Sequence, residues 1–366
     1  MSVLSTPTAS ASASAEAATL PDAAPGPRRR LTVRLPRLPR LPRLPERIAA
    51  RLTPGVRLWI VGTLTVVAIA CFLLLFIRGS FDFTFPRRLT MVGAMVVAAF
   101  TQGVGTVIFH TVTGNRILTP SIIGFDSMYT LMQTLMVFVF GGTVIASTEG
   151  MPKLVAQTTV MVLFATLLYR WLFSGRFGSL FLMLLVGVVI GMAFDSLSTF
   201  LQRLLSPTEY DLLSVKLFGR LSAVKDDYLP LAFGVCAVIA VIVWRRRMRL
   251  DALLLGRDAA TGIGVDHKRE LTVMLVLVAT MIAFSTALVG PMTFFGFIVA
   301  TLAYQLAGTY KHAFVLPMAF LLGLFTLVAG QFLMQHVFYA AGFLTVIIEF
   351  VGGLLFLLMI LRKGTL

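Results

Sequence analysis

The sequence predicts an all-α polytopic membrane protein of about ten transmembrane helices. Three observations lead to this fold. Apolar residues make up 58% of the 366 and charged residues only 13%, against about a quarter in a soluble domain. Mean hydropathy is +0.91, and the apolar residues fall in continuous blocks, many near the ~20 residues that cross hydrocarbon as a helix. The two-residue alternation of a membrane barrel is absent, and a continuously apolar segment in lipid must pair its own backbone groups as a helix.

Taken from the start, residues 1–27 are rich in Ala, Ser, Thr and Pro and lack the apolar core of a signal peptide. They read as disordered. An Arg-Leu-Pro repeat runs from Arg34 to Pro45. Proline at every third position forbids helix and favours polyproline II, a basic tether for the lipid surface. Residues 1–56 are therefore expected to be a cytoplasmic tail, and 57–366 the membrane domain. Apolar spans are expected near 57–77, 89–110, 122–144, 154–173, 179–201, 228–244, 271–289, 291–306, 314–330 and 345–361. The eighth is short and opens at Pro291. Segment 202–227, opened by Pro207 and mixed in charge, reads as a short interfacial helix rather than a span.

The net charge of +15 does not point to nucleic acid, because of where it lies. Ten of the 31 Lys and Arg residues fall in 1–57 and seven in 245–270. Placing both termini in the cytoplasm puts 23 of them inside and 8 outside, as the positive-inside rule requires. Arg245-Arg246-Arg247-Met248-Arg249 is the strongest anchor of that orientation and faces anionic lipid. Cys71 and Cys236 sit in separate apolar blocks and read as small buried hydrophobes. The four scattered histidines give no metal-ligand spacing, so no metal or cofactor is expected.

Asn115-Arg116-Ile117-Leu118-Thr119-Pro120-Ser121-Ile122-Ile123-Gly124 lies between the second and third spans. Pro120 breaks a helix, Gly124 permits close backbone approach, and Asn115 can cap a helix end. A broken segment at the mouth of a membrane protein must line a cavity or be buried in protein. The longest internal cytoplasmic loop, 245–270, holds Leu253-Leu254-Leu255-Gly256-Arg257-Asp258-Ala259-Ala260-Thr261-Gly262-Ile263-Gly264. A short helix that presents apolar and small residues to water wants a partner. Gly290-Pro291-Met292-Thr293-Phe294-Phe295-Gly296 interrupts an apolar run, as discontinuous transporter helices do. Farther on, His312 and Pro317 stand in Gly308-Thr309-Tyr310-Lys311-His312 and Leu316-Pro317.

These stretches resemble the FecCD-type permeases of ABC importers for ferric siderophores, haem and cobalamin. Asn115, Pro120 and Gly124 match N-P-L-x-x-P-x-x-L-G, with Arg116 in place of the first proline. Asn115 to Tyr129 is similar to the branch associated with catecholate siderophores. The second stretch is similar to the family's L-G-x-x-x-A-x-x-x-G coupling segment, and the third to G-P-I-x-F-x-G-L and G-x-D-H-R…L-P, from which Tyr310 and Lys311 depart.

The resemblance implies a fold like the cobalamin-importer permease, a type II importer, in the bacterial cytoplasmic membrane. It implies a second permease subunit, a cytoplasmic ATPase dimer and an extracytoplasmic siderophore-binding protein. It makes Asn115, Ile117, Pro120 and Gly124 the cytoplasmic gate, and Leu254, Leu255, Gly256, Arg257, Ala259, Ala260, Gly262, Ile263 and Gly264 the ATPase contact. Arg87, Arg88, Arg203 and Arg220 are candidates to meet acidic knobs of the binding protein. Thr101, Gln102, Asp195 and Glu349 are candidates for the pathway, since polar groups at membrane depth commonly face a cavity or a partner. Asp126 is read as a cytoplasmic-end residue that reaches water or Arg116. The chain has no G-x-x-x-x-G-K-[ST] phosphate loop, so ATP hydrolysis belongs to another polypeptide and this chain is not itself an enzyme. Two alternatives stay open: an ion-coupled carrier that uses Asp195 or Glu349, and a permease for haem or cobalamin.

Overall fold

The computed structural model describes residues 53–77, 80–142, 150–174, 180–218, 221–338 and 344–363. The readings on the basic tail up to residue 52 and on Arg220 lie outside them. Twelve helices are labelled here. They are α1 (Pro54–Leu74), α2 (Phe81–Thr113), α3 (Phe125–Phe140), α4 (Met151–Ser174), α5 (Leu180–Gln202), α6 (Pro207–Leu217), α7 (Leu229–Leu253), α8 (Arg257–Gly262), α9 (His267–Val289), α10 (Phe295–Ala307), α11 (His312–His336) and α12 (Leu344–Lys363). Six helices among the described residues are long and apolar enough to cross a membrane, and four shorter apolar helices accompany them. These ten correspond one for one to the expected spans.

Local chemistry sets the helix ends. Thr53 caps α1 by accepting the Val56 N–H, and Pro54 occupies the first turn, where its missing N–H costs nothing. Ser206 and Glu209 form a reciprocal capping box at α6, with Pro207 again in the first turn. The Ser206 hydrogen bonds hold the Glu209 carboxyl below its ordinary range. Asp266 accepts the Arg269 N–H and opens α9. The short helix expected from Pro207 onward is thus present as α6.

Burial sorts the helices into a centre and a rim. The apolar window of α2 is 89% buried, that of α9 61% and that of α11 50%, whereas α1 is 11% buried. Trp59, Val66 and Val67 on α1, Val238 and Val241 on α7, and Phe350 and Leu357 on α12 are exposed. Such surfaces are stable in hydrocarbon and not in water. At 33 residues α2 spans about 50 Å, and a π-turn at Ala99–Val104 interrupts it. The extra backbone width there lets α9, α10 and α11 cross α2 closely. A methyl group on Gly103 would stand 3.0 Å from the Ala319 carbonyl and 3.2 Å from Val299 Cγ1. Small residues in this stretch therefore serve helix packing.

Two arrangements differ from the sequence-based expectation. The second helix begins at Phe81 and runs through Pro86, so Arg87 and Arg88 lie inside it. The eighth apolar segment is helical only from Phe295, because Gly290–Phe294 forms a non-helical break that ends in a turn.

A close backbone contact joins α5 to the segment before α3. Pro120–Ile123 forms a 3-10 turn closed by Gly124 at φ +99°, a conformation that side-chain residues adopt only at a cost. Gly187 and Gly191, four apart on α5, receive this turn against their bare backbone. A methyl group on Gly191 would lie 3.1 Å from the Gly124 Cα, and one on Gly187 would run into Ile123. We expect Gly191→Leu to destabilise the protein by about 1–3 kcal/mol through overpacking. Gly234→Leu on α7, where nothing lies within 4 Å, should be close to neutral. Unfolding in mixed detergent micelles checks the difference, and equal curves for the two variants would refute the contact.

Candidate functional site

One end of the bundle carries the 254–264 segment. α7 stops at Leu253, Gly256 turns the chain at φ +89°, and α8 follows as six residues. Leu254, Leu255 and Ile263 are 44%, 64% and 63% exposed, so three large apolar side chains stand out from a surface otherwise rich in charge. Arg257, Ala259, Gly262 and Gly264 are exposed beside them. Ala260 is fully buried. Its methyl packs into this chain, which corrects the expectation that Ala260 faces a partner.

The helices flanking this segment are tied together. Glu270, 3% exposed at the start of α9, accepts Arg246 at 2.8 Å and Arg249 at 3.3 Å from the end of α7. Glu270 is buried but its arginine partners are partly exposed, so solvent screens the pair from their side while it still ties α7 to α9. A second tie reaches farther. Asp251 Oδ1 accepts the His312 main-chain N–H at 2.8 Å and lies 2.6 Å from His312 Nδ1. The other ring nitrogen, Nε2, is 2.8 Å from the Thr111 hydroxyl on α2. One imidazole thus joins α7, α11 and α2. The carboxylate partner of His312 is Asp251, which lies outside the local motif where Lys311 stands.

The segment after α2 returns into the bundle. Asn115 Oδ1 accepts the Ile117 N–H at 2.9 Å and starts the turn. Arg116 is sandwiched with its guanidinium carbon 4.3 Å from the Tyr304 ring and 5.1 Å from the Tyr310 ring. Ile117 is half-buried, while Pro120 and Gly124 are buried, the latter against Gly187 and Gly191. Asp126 then faces Thr293 Oγ1 at 2.7 Å and Thr286 Oγ1 at 3.4 Å. It meets the helix break at 290–294, which replaces the expected contact with Arg116 or water. One residue on, Ser127 donates to Asp195 at 2.9 Å.

The pathway candidates divide. Asp195 is exposed on α5, close to the Gly124 contact. Glu349 accepts the Phe294 N–H with both oxygens, at 3.2 and 3.3 Å. It supplies the first turn of α10 with a side-chain acceptor for a backbone N–H that has no partner within the helix. Thr101 and Gln102 are each 1% exposed. The Thr101 hydroxyl returns to the Val97 carbonyl, and Gln102 donates to Ser285. Both face the protomer interior, and the expectation that they line an open pathway is corrected accordingly.

Of the docking candidates, Arg87 and Arg203 are exposed. Arg88 is buried and donates to the carbonyls of Phe72, Leu73, Leu75 and Phe76. Those are the orphan acceptors at the end of α1, including the left-handed Phe76. Arg88 is a helix cap and is unavailable to a partner. Sequence reasoning missed Asp251, Glu270, Gly187 and Gly191. A Gly-x-x-x-Gly spacing in an apolar helix was the available signal for the last two.

The chain is 43% identical over 287 residues to the petrobactin import system permease protein FatC of Bacillus anthracis, covering 78% of this chain and 81% of that protein. It is 38% identical over 301 residues to the petrobactin import system permease protein YclO of Bacillus subtilis, covering 82% and 95%. A solved metal-chelate-type ABC transporter in an inward-facing conformation shares the fold. Its TM-score is 0.72 at 20% identity, over 85% of this chain and 100% of that one. The FecCD transport family model matches residues 61–362, and the chain belongs to the FecCD transport family.

Proposed function

We propose that this chain is the membrane permease subunit of an ATP-driven importer that carries iron–siderophore complexes across the bacterial cytoplasmic membrane. The observation that carries the reading is the 254–263 segment. It holds three exposed large apolar side chains between two helices locked by Arg246, Arg249 and Glu270. An apolar surface on a rigid base suits a partner that pushes. The partner is a cytoplasmic ATPase dimer, which places both termini inside. The Lys and Arg distribution supports that orientation. A second permease subunit completes the membrane part. A binding protein delivers cargo on the opposite face, where Arg87, Arg203 and Arg220 are docking candidates. The cargo class is that named for the relatives, petrobactin.

The mechanism follows the ties. ATP-driven closure of the partner displaces α8 with α7 and α9. Asp251 carries the displacement to His312, and His312 carries it to Thr111 near the end of α2. The re-entrant segment 114–124 follows α2. Its contact with Gly187 and Gly191 is broken and remade, so Asn115, Ile117, Pro120 and Gly124 act as the gate. Two discrete packings of one segment are what a switching element needs. Asp195, exposed beside the gate, lies along the path that opens.

Three measurements test this. In a strain lacking the chain, uptake of iron–petrobactin should fall to background and return with the wild-type gene. Unchanged uptake would refute the cargo. Leu255→Glu with Ile263→Glu should abolish co-purification of the ATPase subunit while the melting temperature in detergent stays the same. Retained co-purification would remove the coupling role. Asp251→Asn should leave the assembled importer hydrolysing ATP but deliver at least about fivefold less cargo per ATP, as loss of hydrogen bonds to a charged group implies. A proportional fall of hydrolysis and uptake would instead mark Asp251 as merely structural.

A further inference from the structure

The end of the bundle opposite α8 holds a second built site. A cavity of about 220 Å³ lies among α3, α4, α6, the turn before α7 and the end of α9. Lys153, Lys216 and Lys225 line it, and no acidic side chain does. Each of these lysines also has another interaction within the protein, and an ammonium group carries three donors, so one contact does not exhaust it. The first turn of α4, with Gly150, Lys153 and Leu154 on the lining, adds the partial positive charge of a helix N-terminus.

The floor is polar and under-paired. Gln133 and Gln157 are each 4% exposed and face the cavity. Gln133 Oε1 has no hydrogen-bond partner among the described residues. Gln157 Nε2 reaches only the Met136 sulfur, at 3.8 Å. A buried acceptor left unpaired costs ~1–3 kcal/mol, and buried polar atoms in native proteins rarely stay so. The cavity therefore asks for a ligand with two features: an anionic oxygen for the lysines, and a hydroxyl to donate to Gln133.

We propose that this cavity binds a phosphate group bearing a neighbouring hydroxyl, and that the occupant is the head group of an anionic glycerophospholipid. Size excludes the cargo, since pockets for drug-sized molecules run from ~300 to 1,000 Å³. The rim favours a lipid over a free anion. Val215 and Phe218 line the cavity and are exposed, and Val155, Val160 and Leu163 extend an apolar outer face down α4. Acyl chains find a surface there that a soluble phosphate cannot use. The site does not depend on the transport reading.

The test is native mass spectrometry of the full-length chain in neutral detergent. Phosphatidylglycerol and phosphatidylcholine are the lipid probes, and glycerol 3-phosphate is the soluble one. The wild type should retain one phosphatidylglycerol in preference to phosphatidylcholine. Lys153→Gln/Lys216→Gln/Lys225→Gln should weaken that binding by more than about tenfold, since charge-assisted bonds are the strong ones. Gln133→Leu, which keeps every charge, should weaken it severalfold, and Arg203→Gln should leave it unchanged. If the triple variant does not fold, the exposed Lys225→Gln and Gln133→Leu carry the comparison. Displacement of the lipid by millimolar glycerol 3-phosphate would keep the site and assign it to a soluble anion. Equal retention of the two lipids with no binding of glycerol 3-phosphate would overturn the proposal. So would variants that bind as the wild type does.

Discussion

Hydrocarbon offers no hydrogen bonds, so wherever the helices of this chain break, the freed backbone groups must be satisfied from within the protein. Three such breaks shape the molecule. At the end of α1, Arg88 gathers four carbonyls. At 290–294, Glu349 takes the Phe294 N–H, and Thr293 turns to Asp126. At 114–124, the chain lies backbone against backbone on α5, which only glycine at positions 124, 187 and 191 permits. Arg88, Asp126 and Glu349 are thus tied to helix breaks, whereas Asp195 accepts from the helical Ser127. Arg88 and Glu349 exist in the sequence because the helices they serve do not run straight through.

That constraint also explains why the two halves of the candidate site are built differently. The coupling end uses ion pairs and an imidazole that bonds in two directions, contacts that resist stretching and hold helices as a unit. The gate end uses small residues and van der Waals contact, which vanish within an ångström or two of separation. In the proposed mechanism, a displacement applied at α8 passes through the first kind of contact and is taken up at the second. The glycine-on-glycine contact itself is non-directional, and the Ser127 hydroxyl donated to Asp195 adds a directional bond beside it.

The spans were legible in the sequence because a 20-residue apolar block has few alternatives in lipid, and the short eighth block announced its break through Gly290-Pro291. The exposed 254–263 segment was legible for a similar reason: Leu254, Leu255 and Ile263 are out of place in a charged loop. Long-range pairing was not legible. Nothing near His312 points to Asp251, 61 residues earlier, and Arg246 reads as a lipid anchor until Glu270 is seen beneath it. Arg88 was misread for the same reason. An arginine two residues after a proline looks like a surface group, unless one knows that the preceding helix ends within its reach. Thr101 and Gln102 misled because polarity in a span marks a cavity or a helix crossing equally well, and only the π-turn at 99–104 decides for the crossing.

The central helix α2 draws these observations together. Its middle, around the π-turn, is clamped by α9, α10 and α11, and its final turn is bonded to His312 through Thr111. A helix held at its middle and pushed at one end can only pivot. The segment that follows it is gripped by Tyr304 and Tyr310 through Arg116, so in the proposed mechanism it swings with that end. Arg116 suits this position better than a proline would. A cation sliding across two aromatic faces loses little energy over a few ångströms, whereas a hydrogen bond of fixed geometry would have to break. The substitution at residue 116 therefore gives segment 114–124 an attachment that tolerates displacement.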